Sequence, residues 1–281
     1  MLIITSRISL EISMEHMIRK ISRSTGSGGE PLYLKGFFVM SSIKSFTYTL
    51  ACLVCLCMLA TTYGSEAVKD GLIFYAPMDG SAAATEAKGD PDPVKARDVS
   101  FVDGKFGKAV LVKDKAHLRY RGGANFQFAQ GTVAMWIKSN KPWNSGMKLF
   151  FKGWADDWNR NSIYIQTTAY SQLRVWLWSA EKEQTTVRSP NGISYKADQW
   201  YHLAVTFTDG QVKVYVDGQE ISYGVASDAT LEMPLAELKY FMIGCDYTPD
   251  AVLDGAIDEL RIYNKPLDAD GIKQLHAYVP Q

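Results

Sequence analysis

Tryptophan is the residue type in this chain with the most binding chemistry to offer. An indole face can stack on the apolar face of a sugar ring while nearby amides and carboxylates bond the hydroxyls around it. Three of the seven tryptophans, Trp143, Trp154 and Trp158, fall in "NKPWNSG" and "KGWADDWNRN". These stretches are dense in Asn, Asp, Gly and Pro and read as loops, where a rigid scaffold usually carries its binding residues. With Asp156, Asp157, Asn159, Arg160 and Asn161 beside them, the three rings make a candidate carbohydrate platform. The other arrangement of the same residues folds the rings back to plug one end of the scaffold. Trp176 and Trp178 share one face of "QLRVWLWS", opposite Val175 and Leu177, either as a buried pair or as the lining of a sheet.

Catalysis leaves a fainter trace. Hydrolysis of a glycosidic bond needs two carboxylates astride it, which on one strand face means acids at i and i+2 or i+4. No strand centre carries that pattern. Glu181 and Glu183 have the spacing, but "SAEKEQTT" reads as a solvated hairpin tip. Asp258 and Glu259 are adjacent, so a regular strand would send them to opposite faces. His117, His202 and His276 have no serine or cysteine nucleophile beside them in a motif. His202 and Tyr215 share a strand face, but Ala204 rather than a base lies between them. The residues therefore read as a protein without catalytic apparatus.

The elements that must position these side chains are strands. In "DQWYHLAVTFTDGQVKVYVDGQ" (198–219), Asp209-Gly210 suits a two-residue loop in which both φ angles are positive. That loop sets Thr208 against Gln211, Phe207 against Val212, Val205 against Val214 and Leu203 against Val216, with all six apolar residues on one face. The other face carries His202, Ala204, Thr206, Lys213 and Tyr215, a mixed set open to water or a ligand; Tyr215 is thus a further candidate contact for carbohydrate. A one-residue slip would scatter the apolar set, so the register is specified. Similar short strands with Gly or Asp turns recur from "GLIFYAPM" (71–78) to "AIDELRIYN" (256–264), and Asp268 can cap a terminal helix in "ADGIKQLHAY". The expected fold is all-β, a two-sheet antiparallel sandwich with a short C-terminal helix.

Composition narrows the partners. From Met40, "MSSIKSFTYTLACLVCLCMLATTYGSEA" has a lysine in a short n-region, an apolar run over 46–60 and then small and polar residues, the layout of a secretory signal peptide cleaved after Gly64. The run is shorter than the roughly 20 residues of a membrane span. Residues 1–39 precede a complete signal and are read as an extension upstream of the true initiator, Met40. The organisation is thus an extension (1–39), a signal peptide (40–64) and one folded domain (65–281), secreted or held in the periplasm or cell envelope, with no stable membrane span after cleavage. Six of the 30 basic and three of the 30 acidic residues precede residue 66, leaving 24 against 27, a net of −3. That balance offers no footprint for nucleic acid. Cys52, Cys55 and Cys57 of the four cysteines lie in the signal, so Cys245, in "YFMIGC", has no disulfide partner in the folded domain and reads as an inert thiol.

Five separated strings, "GKFGKAVLV" with "HLRY", "GTVAMWIKS", "LFFKG", the hairpin above and "GAIDELRIYNKPLDADGIKQL", occur in the order found in laminin-G-like, concanavalin A-like jelly-roll domains of secreted bacterial proteins. The chain resembles that family over about residues 70 to 281. The resemblance implies a sandwich of two curved sheets, a carbohydrate or other extracellular polymer as partner, and one structural calcium ion. The positions matching the family's calcium ligands are Asp79 in "PMDG" and Asp258 in "AIDE"; an ordinary turn residue and a backbone-bonded carboxylate are the plainer roles for them. Asp156 and Asp157 are a second pair for such an ion. The same architecture also hosts glycoside hydrolases and polysaccharide lyases, while an envelope domain with structural or adhesive work and no small ligand is the third role open to it.

Overall fold

Alternating apolar and polar side chains make strands, and short turns return each strand onto its neighbour. In the computed structural model the described residues are 68–143, 146–155, 161–168, 172–178, 184–189, 195–208, 211–221, 223–225, 237–244 and 253–280. The signal segment 40–64, the extension 1–39, Cys245, and Glu181 and Glu183 lie outside them. In chain order the strands are β1 (Leu72–Ala76), β2 (Glu86–Ala87), β3 (Lys95–Arg97), β4 (Ser100–Asp103), β5 (Lys108–Val112) and β6 (His117–Arg121). Next come β7 (Gln130–Ser139), β8 (Leu149–Trp154), β9 (Ser162–Thr167), β10 (Leu173–Trp178), β11 (Gln184–Arg188) and β12 (Trp200–Thr208). The rest are β13 (Gln211–Val216), β14 (Gln219–Glu220), β15 (Tyr223–Val225), β16 (Tyr240–Ile243) and β17 (Gly255–Tyr263), followed by the helix α1 (Ala269–Ala277).

All described pairings are antiparallel, and they build two sheets. The first runs β14-β13-β12-β7-β17-β1-β2, with β5 also on β17 and β4 on β5; the second runs β15-β11-β10-β9-β8-β16-β6-β3. Side chains between the sheets form the main core, among them Val205, Phe207 and Ile257 from the first and Phe151, Ile165 and Val175 from the second. Phe126 bridges the layers, its ring stacked 5.9 Å from Phe151 and 5.8 Å from Phe207. This is the jelly-roll sandwich expected from the sequence. No helix among the described residues is long and apolar enough to cross a membrane.

The hairpin register is the expected one at every pair, from Thr208↔Gln211 to Leu203↔Val216. Asp217 and Gly218 turn the chain again with φ of 50° and 77°, both positive as the twist of a two-residue loop requires. The opposite face departs from expectation. His202, Ala204, Thr206 and Tyr215 are buried there, and only Lys213 is exposed. The cover is α1, whose first turn is capped by Asp268 accepting from the Gly271 amide at 2.8 Å. Its buried residues Ile272 and Leu275 pack with Ala134, Ala204, Tyr215 and Tyr263. Tyr215, Ala204, Ala134, Arg261 and Tyr75 stand side by side across five strands, so the two alanines make a shallow seat between larger side chains. Burying Ile272 and Leu275 stabilises by about 1.5–3 kcal/mol each.

Candidate functional site

Three places could do chemistry, and the first is the outer face of the first sheet. In β17, Ile257, Leu260 and Ile262 all enter the main core. The spacing of three and then two marks a bulge, which the pairing with β7 shows between Asp258 and Arg261. Glu259 takes the extra position with φ 57°. Asp258 and Glu259 therefore both leave the core side, instead of alternating as a regular strand would have them. Both are buried. The Glu259 carboxylate holds the Arg261 guanidinium at 2.6 Å and accepts from the Tyr75 hydroxyl at 3.0 Å. Burial raises its pKa against the lowering influence of Arg261. A carboxylate tied in this way is structural.

Asp258 is bound differently. Its Oδ2 accepts the amides of Lys105 (2.8 Å) and Phe106 (3.0 Å), in the turn between β4 and β5. Asp79 Oδ1 accepts the Lys108 amide at the other end of that turn. Gly107 has φ +48°, and a Cβ there would meet Asp79 Oδ1 at 2.0 Å, so the turn admits only glycine against the carboxylate. Both plainer roles are thus real: the two acids clasp one backbone turn. Yet Asp258 Oδ1 is buried with no hydrogen-bond partner, and burial, with Glu259 and Asp79 nearby, raises its pKa to about 7 despite the two amides. An orphaned carboxylate oxygen beside a second carboxylate fits a hard cation. Among the described residues no group of three or more His, Cys, Asp or Glu could hold one, so further oxygens would have to come from backbone carbonyls and water.

His202 stands one strand beyond Trp136, which itself opposes Asp258. Its ring lies 5.2 Å from Trp136 and 5.7 Å from His276. Burial above all, with His276 and Arg261 adding to it, pushes its pKa down to about 3. His202 and Tyr215 sit beneath α1, so this face cannot take a polymer. Tyr215 is corrected from a ligand contact to part of the helix seat.

The second place is the loop platform, and it does not assemble as expected. Trp143 is 1% exposed. Its ring packs against Tyr195 (4.1 Å), Phe150 (5.0 Å) and Tyr201 (5.5 Å), so the apolar area of the indole is spent in plugging one end of the sandwich. Trp154 is no loop residue; it closes β8 and is 6% exposed. Trp158, Asp157 and Asn159, with Asp156, lie outside the described residues.

The third place is the outer face of the second sheet, where Trp154 does find aromatic company. In each strand the core-facing residues alternate with rings and cations: Val175 and Leu177 point inward, while Arg174, Trp176 and Trp178 point outward. The registers align these into rows. One row reads Arg119, Met242, Lys152, Tyr164, Trp176 across β6, β16, β8, β9 and β10. The next reads Arg121, Tyr240, Trp154, Ser162, Trp178 across the same strands. Tyr240 and Trp154 are 5.7 Å apart, Tyr164 and Trp176 5.8 Å, and Trp176 and Trp178 4.8 Å. Cations lie over the rings: Arg174 over Trp176 at 4.5 Å, Lys152 over Tyr164 at 4.6 Å and Arg119 over Tyr240 at 4.9 Å. The Trp176 and Trp178 indole N–H groups and the Ser162 hydroxyl are buried atoms without a hydrogen-bond partner. Sequence reading found the alternation in "QLRVWLWS" but missed the rows; the signal was Arg174, a charged residue on the same face as both tryptophans.

The architecture defines a two-sheet jelly-roll β-sandwich. The family model described as the concanavalin A-like lectin/glucanases superfamily matches residues 73–273, and the chain belongs to that family. Among solved structures it is similar to domain 4 of AbnA, a GH43 extracellular arabinanase from Geobacillus stearothermophilus, in complex with arabinotriose (23% identity, 73% of this chain and 98% of that one, TM-score 0.57). It is also similar to the binding domain of Paraclostridial Mosquitocidal Protein 1 (15%, 74% and 52%, TM-score 0.59). A third is the ligand binding domain of botulinum neurotoxin serotype D, in complex with N-acetylneuraminic acid (14%, 76% and 52%, TM-score 0.59). The chain spans about half of the two toxin domains. These similarities establish the fold. No curated protein matches the chain.

Proposed function

We propose that the protein is an exported, non-catalytic binding module that grips a polysaccharide or glycoconjugate on the outer face of the second sheet. The observation that carries this reading is the half-buried pair Trp176 and Trp178, 4.8 Å apart on that face beside the half-buried Arg174, with both indole N–H groups left without an acceptor, while Trp154 and Tyr164 are buried behind them. Rings supply stacking area, and donors without partners on a protein face gain most from a ligand that offers oxygens. The arabinotriose and N-acetylneuraminic acid of two structural neighbours support a glycan as the ligand class. The test is a glycan array probed with the purified protein and with a Trp176→Ala/Trp178→Ala variant. Binding by the parent that the variant loses, at unchanged unfolding temperature, is expected; a folded parent that binds nothing would leave the structural or adhesive role.

The reading includes one calcium ion held by Asp79 and Asp258, whose charge would neutralise the buried carboxylate. Calcium should raise the melting temperature over chelator in the parent and not in Asp258→Asn. A parent indifferent to calcium, with the Asn variant at least as stable, would leave Asp258 as a backbone clasp alone. Export predicts a mature N-terminus after Gly64, read by N-terminal sequencing of protein recovered outside an expressing cell.

One observation favours a second reading. A polysaccharide lyase uses a Tyr or His together with Arg on such a sheet, and Tyr164 stands beside Lys152 and one strand from Arg174's neighbour Trp176. Release of unsaturated, ultraviolet-absorbing products that Tyr164→Phe abolishes would establish it.

A further inference from the structure

We infer that the outer face of the second sheet is built for an anionic glycan, one whose carboxylate or sulfate groups bridge Arg174 and Arg188. The inference rests on the reading of that face as a glycan site and names its ligand class. Arg174 and Arg188 stand directly opposite each other in the β10–β11 register. Like charges so placed destabilise a sheet. The buried Arg261 guanidinium of the first sheet, by contrast, is matched to the Glu259 carboxylate. Here neither guanidinium forms an ion pair with a described residue. Arg174 is instead oriented by the Gln166 side-chain amide and laid over Trp176. Arg188 Nε is a buried donor with no partner.

The rest of the face agrees. Its outward residues on β10 and β11 include Arg174 and Arg188, and among the described residues of those strands there is no Asp or Glu. Arg121, at the rim, pairs at 3.4 Å with Asp90, which lies outside these strands. Burial, and then the Arg188 guanidinium opposite, lower the Arg174 pKa. An anion between them removes the repulsion and accepts charge-assisted bonds from both. Arg174, Trp176, Trp178 and Arg188 are the half-buried residues at this part of the sheet, so an acidic oligosaccharide can place its charge at Arg174 and Arg188 while its rings lie along Trp176 and Trp178.

The experiment is calorimetric titration of the full chain with oligogalacturonate and with a sulfated galactan oligosaccharide, against a neutral galactan oligosaccharide of the same length. The same titrations are run on Arg174→Gln/Arg188→Gln, with unfolding followed throughout. At least one anionic ligand should bind more tightly than the neutral one. Its affinity should fall at least about tenfold in the double variant, the loss expected for one hydrogen bond to a charged group, while neutral binding stays unchanged. The melting temperature of the unliganded double variant should equal or exceed the parent's. Binding of the neutral glycan with no preference for either acidic one would overturn the anionic inference and leave the glycan site standing. Binding of none by a folded protein would overturn both. A double variant that binds the acidic ligand as the parent does would also overturn the assignment.

Discussion

The two outer faces of the sandwich carry the same residue types and treat them in opposite ways. On the first sheet, Trp136, His202, Tyr215 and Arg261 lie under α1, and the one buried guanidinium is matched to a carboxylate at 2.6 Å. On the second, rings and cations alternate in rows with no acid among the described residues, and like charges face each other across β10 and β11. The proposed ligand contact therefore falls at the β10–β11 part of the second sheet, where Arg174, Trp176, Trp178 and Arg188 are half-buried and the Trp176 and Trp178 indole N–H groups and Arg188 Nε have no acceptor.

That contrast is broken most strongly at Glu259. Glu259→Gln leaves the Arg261 charge buried without its partner, and removing one member of a buried pair typically costs about 3–5 kcal/mol. Chemical denaturation measures it; a loss under about 1 kcal/mol would mean that the pair does not hold the face. Next in size is the helix seat. Ile272→Ala deletes a buried side chain over Ala134 and Ala204 and should cost about 2–4 kcal/mol. An unchanged midpoint would show that α1 is not the cover.

Acid provides the third probe. His202 is neutral when folded, with a pKa of about 3, and in the unfolded chain it titrates near 6.5. A depressed pKa means that the unfolded state binds the extra proton, so this contribution to stability is complete above about pH 6.5. It is lost as pH falls from there towards 3, by about 1.4 kcal/mol per pH unit. The groups around it are the imidazole of His276, the Asp217 carboxylate, the Arg261 guanidinium and the Trp136 ring. The informative quantity is the difference between parent and His202→Gln. The variant should show a flatter decline between pH 6.5 and 4.5, and parallel profiles would remove His202 from the account.

How much of this was legible depended on whether one strand or several were needed to read it. The hairpin register was written in Asp209-Gly210 and six alternating apolar residues, and the Asp268 cap in a local spacing; both needed only neighbours in sequence. The bulge was legible but misread: "AIDEL" looks like alternation until Ile257, Leu260 and Ile262 are required to share a core, which forces one residue too many between the first two. Trp143 and Trp154 were placed in loops because their neighbours are polar, yet an indole buries enough apolar area to override local composition. The rows of the second sheet join residues far apart in sequence, Tyr240 with Trp154 and Ser162 with Trp178. No single window contains them: within "QLRVWLWS" the charge of Arg174 marks the face that looks out, but not which residues of other strands it meets there.

The smallest effect separates the two faces most cleanly, because its sign differs. Charge removal at Glu259 should destabilise; charge removal at Arg188 should not. Arg188→Gln abolishes the like-charge contact with Arg174 and relieves a buried Nε that has no acceptor, and cross-strand charge terms amount to about 0.2–1 kcal/mol. The unliganded variant should therefore be as stable as the parent or more stable by a few tenths of a kcal/mol, with the gain shrinking in high salt, since screening weakens the repulsion that the substitution removes. Destabilisation above about 1 kcal/mol would mean that Arg188 serves the fold, as Arg261 does, and would place both faces in the same structural class. Neutral or positive stability, together with weaker binding of an acidic glycan, would mean that this guanidinium is kept at a cost for the sake of a ligand.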